Sequence, residues 1–170
     1  QIYRVNGNLS EAQRHLERAL TIQEATVGGR HPFVAVALNE LAEIKRLQGD
    51  PSATRILLQR ALAIQLASLG ESHPSVAETL SSLGYLEAQS TDFSSAESYF
   101  DRTLRIRETI LGPVHRDVAT SLLDLARTKH AQGQLTAARP LYERARQIIQ
   151  AQQGLNPGLD DEALSRIWKK

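Results

Sequence analysis

The 170-residue sequence has no cysteine and no methionine, and only one tryptophan, three phenylalanines and four tyrosines. Without cysteine there is no disulfide framework and no thiolate metal site, and a reducing, cytoplasmic setting is the expectation. Without methionine the chain reads as a fragment or processed piece of a larger protein, since an intact product normally begins with one. Glycine (10) and proline (6) are sparse, which excludes a disordered or fibrous chain. No stretch approaches about 18 consecutive apolar residues, so no membrane span is expected. The opening Gln1-Ile2-Tyr3-Arg4 lacks the pattern of a signal peptide. Charge of one sign is missing too: 20 basic residues against 19 acidic ones leave +1. Nucleic-acid-binding proteins usually carry a basic footprint that neutralises phosphates, and Lys169-Lys170 is too short to be one, so no nucleic-acid partner is expected.

What remains is rich in Ala, Leu, Gln, Arg and Glu, all strong helix formers. Hydrophobic residues make up 41% and charged residues 23%, ordinary for a water-soluble domain. The core of such a chain must be built from leucine and alanine.

An internal repeat organises these residues. His31-Pro32, His73-Pro74 and His115-Arg116 recur at a step of 42. The same step links Gly28, Gly70, Gly112 and Gly154; Ile22, Ile64, Ile106 and Ile148; and Leu38, Leu80, Leu122 and Leu164. Ala19, Ala61 and Ala145 follow it with Thr103 as the exception, and Gly7, Gly49 and Gly133 with Thr91 as the exception.

Each unit reads as two helices. Pro32 suits a first helical position, where its missing N–H costs nothing. Phe33, Ala37, Leu38, Leu41, Ala42 and Ile44 then recur near a 3.6 period. Gly49 stops that helix and Asp50-Pro51 opens the next as N-cap and first position. Leu57, Leu58, Ala61, Leu62, Ile64 and Leu69 form its apolar face, and Gly70 ends it. The repeat places helices over about 9–27, 32–48, 51–69, 74–90, 93–111, 116–132, 137–153 and 158–169. Pro140 falls in the first turn of its helix, where proline is tolerated. Gln1 lies one step before Glu43, so the chain is expected to begin late in an earlier helix. Residues 1–170 read as a single domain with units at about 1–28 (partial), 29–70, 71–112, 113–154 and 155–170 (partial). Asn156-Pro157-Gly158 replaces His-Pro at the last junction.

Within a unit, Leu-x-x-Leu-Ala/Gly (Leu38 to Ala42, Leu80 to Gly84, Leu122 to Ala126) precedes Gly49, Thr91 or Gly133. A small residue (Thr54, Ala96, Ala138), a bulky one (Leu58, Phe100, Tyr142) and Ala61, Thr103 or Ala145 follow. This resembles the tetratricopeptide repeat, in which small residues let paired helices approach and bulky ones fill the gap. The usual unit has about 34 residues. The longer unit here, with Leu69-Gly70-Glu71-Ser72-His73-Pro74 and Leu111-Gly112-Pro113-Val114-His115-Arg116 as linkers, resembles the kinesin light chain-like and nephrocystin-like type. Arg116 stands where that type has proline. Asn39-Glu40, Ser81-Ser82 and Leu123-Asp124 stand where it often has Asn-Asn, so cargo specificity does not carry over.

The resemblance implies an all-α fold: a right-handed α-solenoid of stacked antiparallel helix hairpins, whose neighbours jointly bury a core no hairpin could bury alone. It also implies that the first helix of each pair lines a concave face. That face maps onto Arg4 and Val5; Val36, Asn39, Glu43, Arg46 and Leu47; Glu78, Ser81, Tyr85, Ala88 and Gln89; and Thr120, Leu123, Arg127 and His130. Spacings of three and four put each set on one helical face. Asn39 offers a donor and an acceptor to a peptide backbone, Arg46 and Arg127 can fork onto carboxylates, and Tyr85 and Leu123 can pack apolar groups. The expected partner is a protein or peptide segment of mixed apolar and acidic character. A second class stays open: a spacer within a larger enzyme or signalling protein, or a segment that self-associates weakly through the open ends of the stack.

Catalytic and metal chemistry find little support. His31, His73 and His115 are repeat equivalents, held a hairpin apart, and read as residues preceding or capping a helix. His15 and His130 lack ligand partners at metal spacing. No G-x-S-x-G, G-x-x-x-x-G-K-[ST], H-E-x-x-H or G-x-G-x-x-G is present. Asp160-Asp161-Glu162 suits a helix start and lacks a calcium loop. No cofactor, metal or catalytic residue is therefore assigned, and the chain is not expected to be an enzyme. The Arg/Glu stretches read as solvated helix faces.

Overall fold

A computed structural model describes residues 2–153. Seven helices and no strands occur among them: α1 (Ile2–Val27), α2 (Pro32–Leu47), α3 (Pro51–Leu69), α4 (Pro74–Gln89), α5 (Phe93–Leu111), α6 (Arg116–Ala131) and α7 (Leu135–Gln153). The helix expected over 158–169, with Leu164 and the final partial unit, lies outside the described residues.

The punctuation read from the sequence has a direct chemical basis. His31, His73 and His115 are N-caps: each Nδ1 accepts a hydrogen bond from the backbone N–H two residues on, in Phe33, Ser75 and Asp117, at 3.2, 3.2 and 3.1 Å. The recurring histidine therefore satisfies an orphan donor at a helix start. Asp50 and Asp92 cap α3 and α5 with carboxylate oxygens 2.9 and 3.1 Å from the N–H of Ala53 and Ser95. At the ends of α2, α4 and α6 the chain closes in a Schellman turn, with Asp50, Asp92 and Gln134 N–H on the carbonyls of Lys45, Glu87 and Lys129. That turn needs a left-handed residue. Gly49 and Gly133 supply it at φ 76° and 77°, and Thr91 is forced to φ 61° in the middle unit.

Two boundaries differ from the sequence expectation. α1 runs unbroken through Gly7, where the repeat had suggested the end of one helix and a new start near residue 9. A glycine inside a helix costs only about 1 kcal/mol, too little to stop a helix by itself. Arg4 and Val5, expected on the concave face, thus sit in the first turn of α1. α7 begins at Leu135, so Pro140 lies inside the helix and beyond its first turn. Both Thr136 and Pro140 are exposed, so the carbonyl that proline cannot serve faces solvent.

The hairpins α2/α3, α4/α5 and α6/α7 pack in sequence order. Val34, Ala35 and Leu38 close on Ala61 and Ile64 within the first. Leu83 of α4 joins Ala42 and Leu58 of the hairpin before it. Phe100, Leu104 and Ala96 of α5 share one cluster with Val118, Leu122 and Leu125 of α6 and Ala145 and Ile148 of α7. The core therefore runs across hairpin boundaries, and each fully buried leucine adds about 1.5–3 kcal/mol. Small residues set the approach: a Cβ on Gly84 would lie 2.6–2.9 Å from the ring of Phe100. Where Ala42 and Ala126 stand instead, the facing bulky residues are Leu58 and Tyr142.

Charged side chains tie successive hairpins together. Arg55 of α3 meets Glu87 of α4 with two bonds of 2.8 and 2.7 Å, and one repeat later Glu97 of α5 meets Lys129 of α6 at 2.5 Å. Farther round, Arg60 pairs with Glu24 and Arg144 with Glu108.

Candidate functional site

Helices α2, α4 and α6 lie side by side, linked by side-chain hydrogen bonds one repeat apart. Asn39 Nδ2 donates to Thr79 Oγ1 at 2.9 Å, and Tyr85 OH donates to Asp124 Oδ2 at 2.6 Å. Between α2 and α4 this layer opens into a groove of about 480 Å³ lined by Asn39, Ala42, Glu43, Arg46, Thr54, Leu58, Glu78, Ser82, Tyr85 and Gln89. Between α4 and α6 lies a cleft of about 180 Å³, bounded by Tyr85, Ala88, Phe93, Phe100, Asp124, Arg127 and Thr128.

The expected residues divide accordingly. Asn39, Glu43, Arg46, Tyr85 and Gln89 meet in the larger groove, and Tyr85 and Arg127 in the smaller cleft. Ser81 is buried and lines neither. Leu123 is half-buried against the clusters of α6 and α7. His130 is exposed near the end of α6, away from both linings, and Arg4 belongs to α1.

Ser82, Thr54 and Leu58 were missed. α2 contributes Asn39, Glu43 and Arg46 to the groove, and α4 contributes Glu78, Ser82, Tyr85 and Gln89. Stepping Asn39 forward by one repeat gives Ser81, which is buried and lines neither opening. The spacing i, i+4, i+7, i+11 from Glu78 was the signal that finds Ser82. Thr54 and Leu58 form a floor supplied by α3, which a search confined to first helices overlooks.

The charges are largely spoken for. Arg46 grips Glu43 on its own helix with bonds of 2.7 and 2.6 Å, and that bond holds the Glu43 carboxyl below the usual carboxylate range. Asp124 is 4% exposed. Burial pushes its carboxyl upward, against the Tyr85 hydroxyl and the Arg127 guanidinium that favour the charged form. Arg127 lies 3.7 Å away, too far for a hydrogen bond, and keeps 68% of its side chain exposed. Burial and then the bond to Asp124 push the Tyr85 phenol up to about 12, so Tyr85 acts as a donor. Its ring is fixed edge-on against Phe100 at 5.2 Å. Asn39 spends its donor on Thr79, and its Oδ1 is buried without a partner.

A family description reading "Tetratricopeptide repeat" matches residues 1–67, 34–109 and 75–151. The chain belongs to the tetratricopeptide repeat family. Solved structures similar to this repeat chain include BtubC (BKLC) from P. vanneervenii, at 24% identity and a TM-score of 0.80, over 90% of this chain and 61% of that one. At that identity the likeness concerns the fold, and the chain spans less than two thirds of that protein's length. A putative kinesin light chain from Podosopora anserina with nearly identical TPR-like repeats matches at 28% identity and a TM-score of 0.72, over 89% of this chain and 72% of that one. A variant of that Podosopora protein gives 28% and 0.74, over 90% and 72%. No curated protein matches the chain. Tetratricopeptide repeat proteins are in general protein–protein interaction scaffolds, and no helix among the described residues is long and apolar enough to cross a membrane.

Proposed function

We propose that this repeat chain is an adaptor, not an enzyme, that holds a peptide segment of a partner protein along α2, α4 and α6 in the cytoplasm. The observation that carries the reading is the groove between α2 and α4, where repeat-related polar side chains stand around an apolar floor of Ala42 and Leu58. Pockets with apolar walls and a few convergent polar groups are the common form of a binding site. A segment of mixed apolar and acidic character fits unevenly. Leu58 and the Tyr85 ring accept apolar side chains. Arg46 is already held by Glu43, so the exposed Arg127 is the better seat for a ligand carboxylate.

Affinity capture from lysate of the source cells tests this, with the parent chain beside an Asn39→Ala/Tyr85→Ala/Arg127→Ala variant of the same helicity. Proteins retained by the parent and lost by the variant support the adaptor. Identical captures from both contradict it.

A further inference from the structure

We infer that the groove between α2 and α4 takes a basic side chain, a lysine or arginine of the partner segment, against Glu78. This rests on the groove reading above and assigns its polarity. Two carboxylates, Glu43 and Glu78, and one guanidinium, Arg46, line the groove. Arg46 is matched to Glu43 by two short bonds on the same helix. The carboxylate of Glu78, exposed on the opposite wall, has no ion pair among the described residues. The lining therefore carries one uncompensated negative charge.

The rest of the lining suits the stem of such a residue. Lysine and arginine bury their methylene chains against apolar surface while the charged head stays wet, and Ala42 and Leu58 supply that surface. The Tyr85 ring is 44% exposed and held from behind by Phe100 and Asp124, so it meets a cation without first being ordered. An acidic side chain at the same place must displace Glu43 from Arg46 and still lies beside Glu78. One repeat on, the lining changes sign: Asp124 is buried and engaged, and the exposed group is Arg127. A segment lying along the layer thus sets its basic residue over α2/α4 and its acidic residue toward α6, which fixes its direction.

The test uses the full 170-residue chain and two fluorescent nonapeptides, one alternating leucine with lysine and one alternating leucine with glutamate. Anisotropy titrations compare the parent with Glu78→Gln, Glu78→Lys, Arg127→Ala, Tyr85→Ala and Ser82→Trp, each checked for parental helicity. Glu78, Ser82 and Arg127 are exposed, so their variants report on the site even if Tyr85→Ala unfolds. The lysine peptide is expected to bind the parent and to lose about fivefold or more in affinity in Glu78→Gln, more in Glu78→Lys and little in Arg127→Ala. Loss of the lysine peptide in Ser82→Trp or Tyr85→Ala, with no effect at Glu78, overturns the cation seat and leaves the groove standing. Binding indifferent to Ser82, Tyr85 and Glu78 alike overturns both. Failure of the lysine peptide to bind the parent overturns the cation seat.

Discussion

The two junctions between successive hairpins share a backbone plan and differ in nearly every polar side chain that crosses them. At the first, Arg55 reaches Glu87; at the second, Glu97 reaches Lys129, the same pair of repeat positions with the signs reversed. On the α2–α4–α6 layer, Tyr85 bridges to Asp124, whereas its equivalent Glu43 turns back onto Arg46 and leaves Ser82 unbridged. One side chain folded back along its own helix leaves a groove of about 480 Å³, and one reaching across leaves a cleft of about 180 Å³. Small and apolar positions thus fix the spacing of the helices, and variable polar positions decide where the layer is open.

Reversing one charge breaks this comparison most severely. Glu87→Lys sets an ammonium against Arg55 at a buried position and is expected to cost about 3 kcal/mol in urea unfolding. Arg55→Glu/Glu87→Lys copies the second junction into the first and is expected to recover all but about 1 kcal/mol. A double variant no better than the single one would show that the two junctions are not equivalent.

The next effect concerns the close approach in the middle hairpin. Gly84→Ala drives a methyl into the Phe100 ring and should lower stability by about 2 kcal/mol despite the better helix propensity of alanine. Adding Phe100→Leu recreates the Ala42 and Leu58 arrangement and should restore most of the loss in the same assay. Smaller and of opposite sign is Thr91→Gly. The other two turns of this kind use glycine, so relieving the left-handed threonine should raise stability by about 1 kcal/mol in thermal unfolding, the gain being limited by the flexibility of unfolded glycine.

The smallest effect is one of pH. Because burial raises the Asp124 carboxyl in the fold, its favourable contribution is complete below the unfolded value of about 4 and is lost as pH rises through the higher folded value. The stability of the parent relative to Asp124→Asn should therefore decline with rising pH over that window in denaturant titrations. Glu43, Glu97 and Asp92, whose carboxyls are lowered in the fold, act in the opposite sense and cancel in the difference.

Much of the architecture was legible because it rests on local chemistry. His-Pro, Asp-Pro and glycine at fixed steps mark helix ends by capping and by positive φ, and these positions hold for α2 to α6. Gly7 misled because a glycine inside a helix costs only about 1 kcal/mol, too little to stop one by itself. The candidate groove was legible in part. The resemblance assigned Asn39, Glu43, Arg46, Tyr85 and Gln89 to one face and all five line the groove, but pairings that cancel charge depend on rotamers, so neither the Glu43–Arg46 clasp nor the Tyr85–Asp124 bridge was foreseen. Ser81 and Leu123, one and two repeats on from Asn39, are buried and half-buried and line neither the groove nor the cleft.

The most direct test of the central claim is to record backbone amide spectra of the chain while titrating in the partner segment identified by capture. Binding in the proposed groove predicts the largest shifts at Asn39, Glu43, Glu78, Ser82, Tyr85 and Gln89, with Arg127 following. Shifts confined to the exposed positions of α3 and α5 would contradict it.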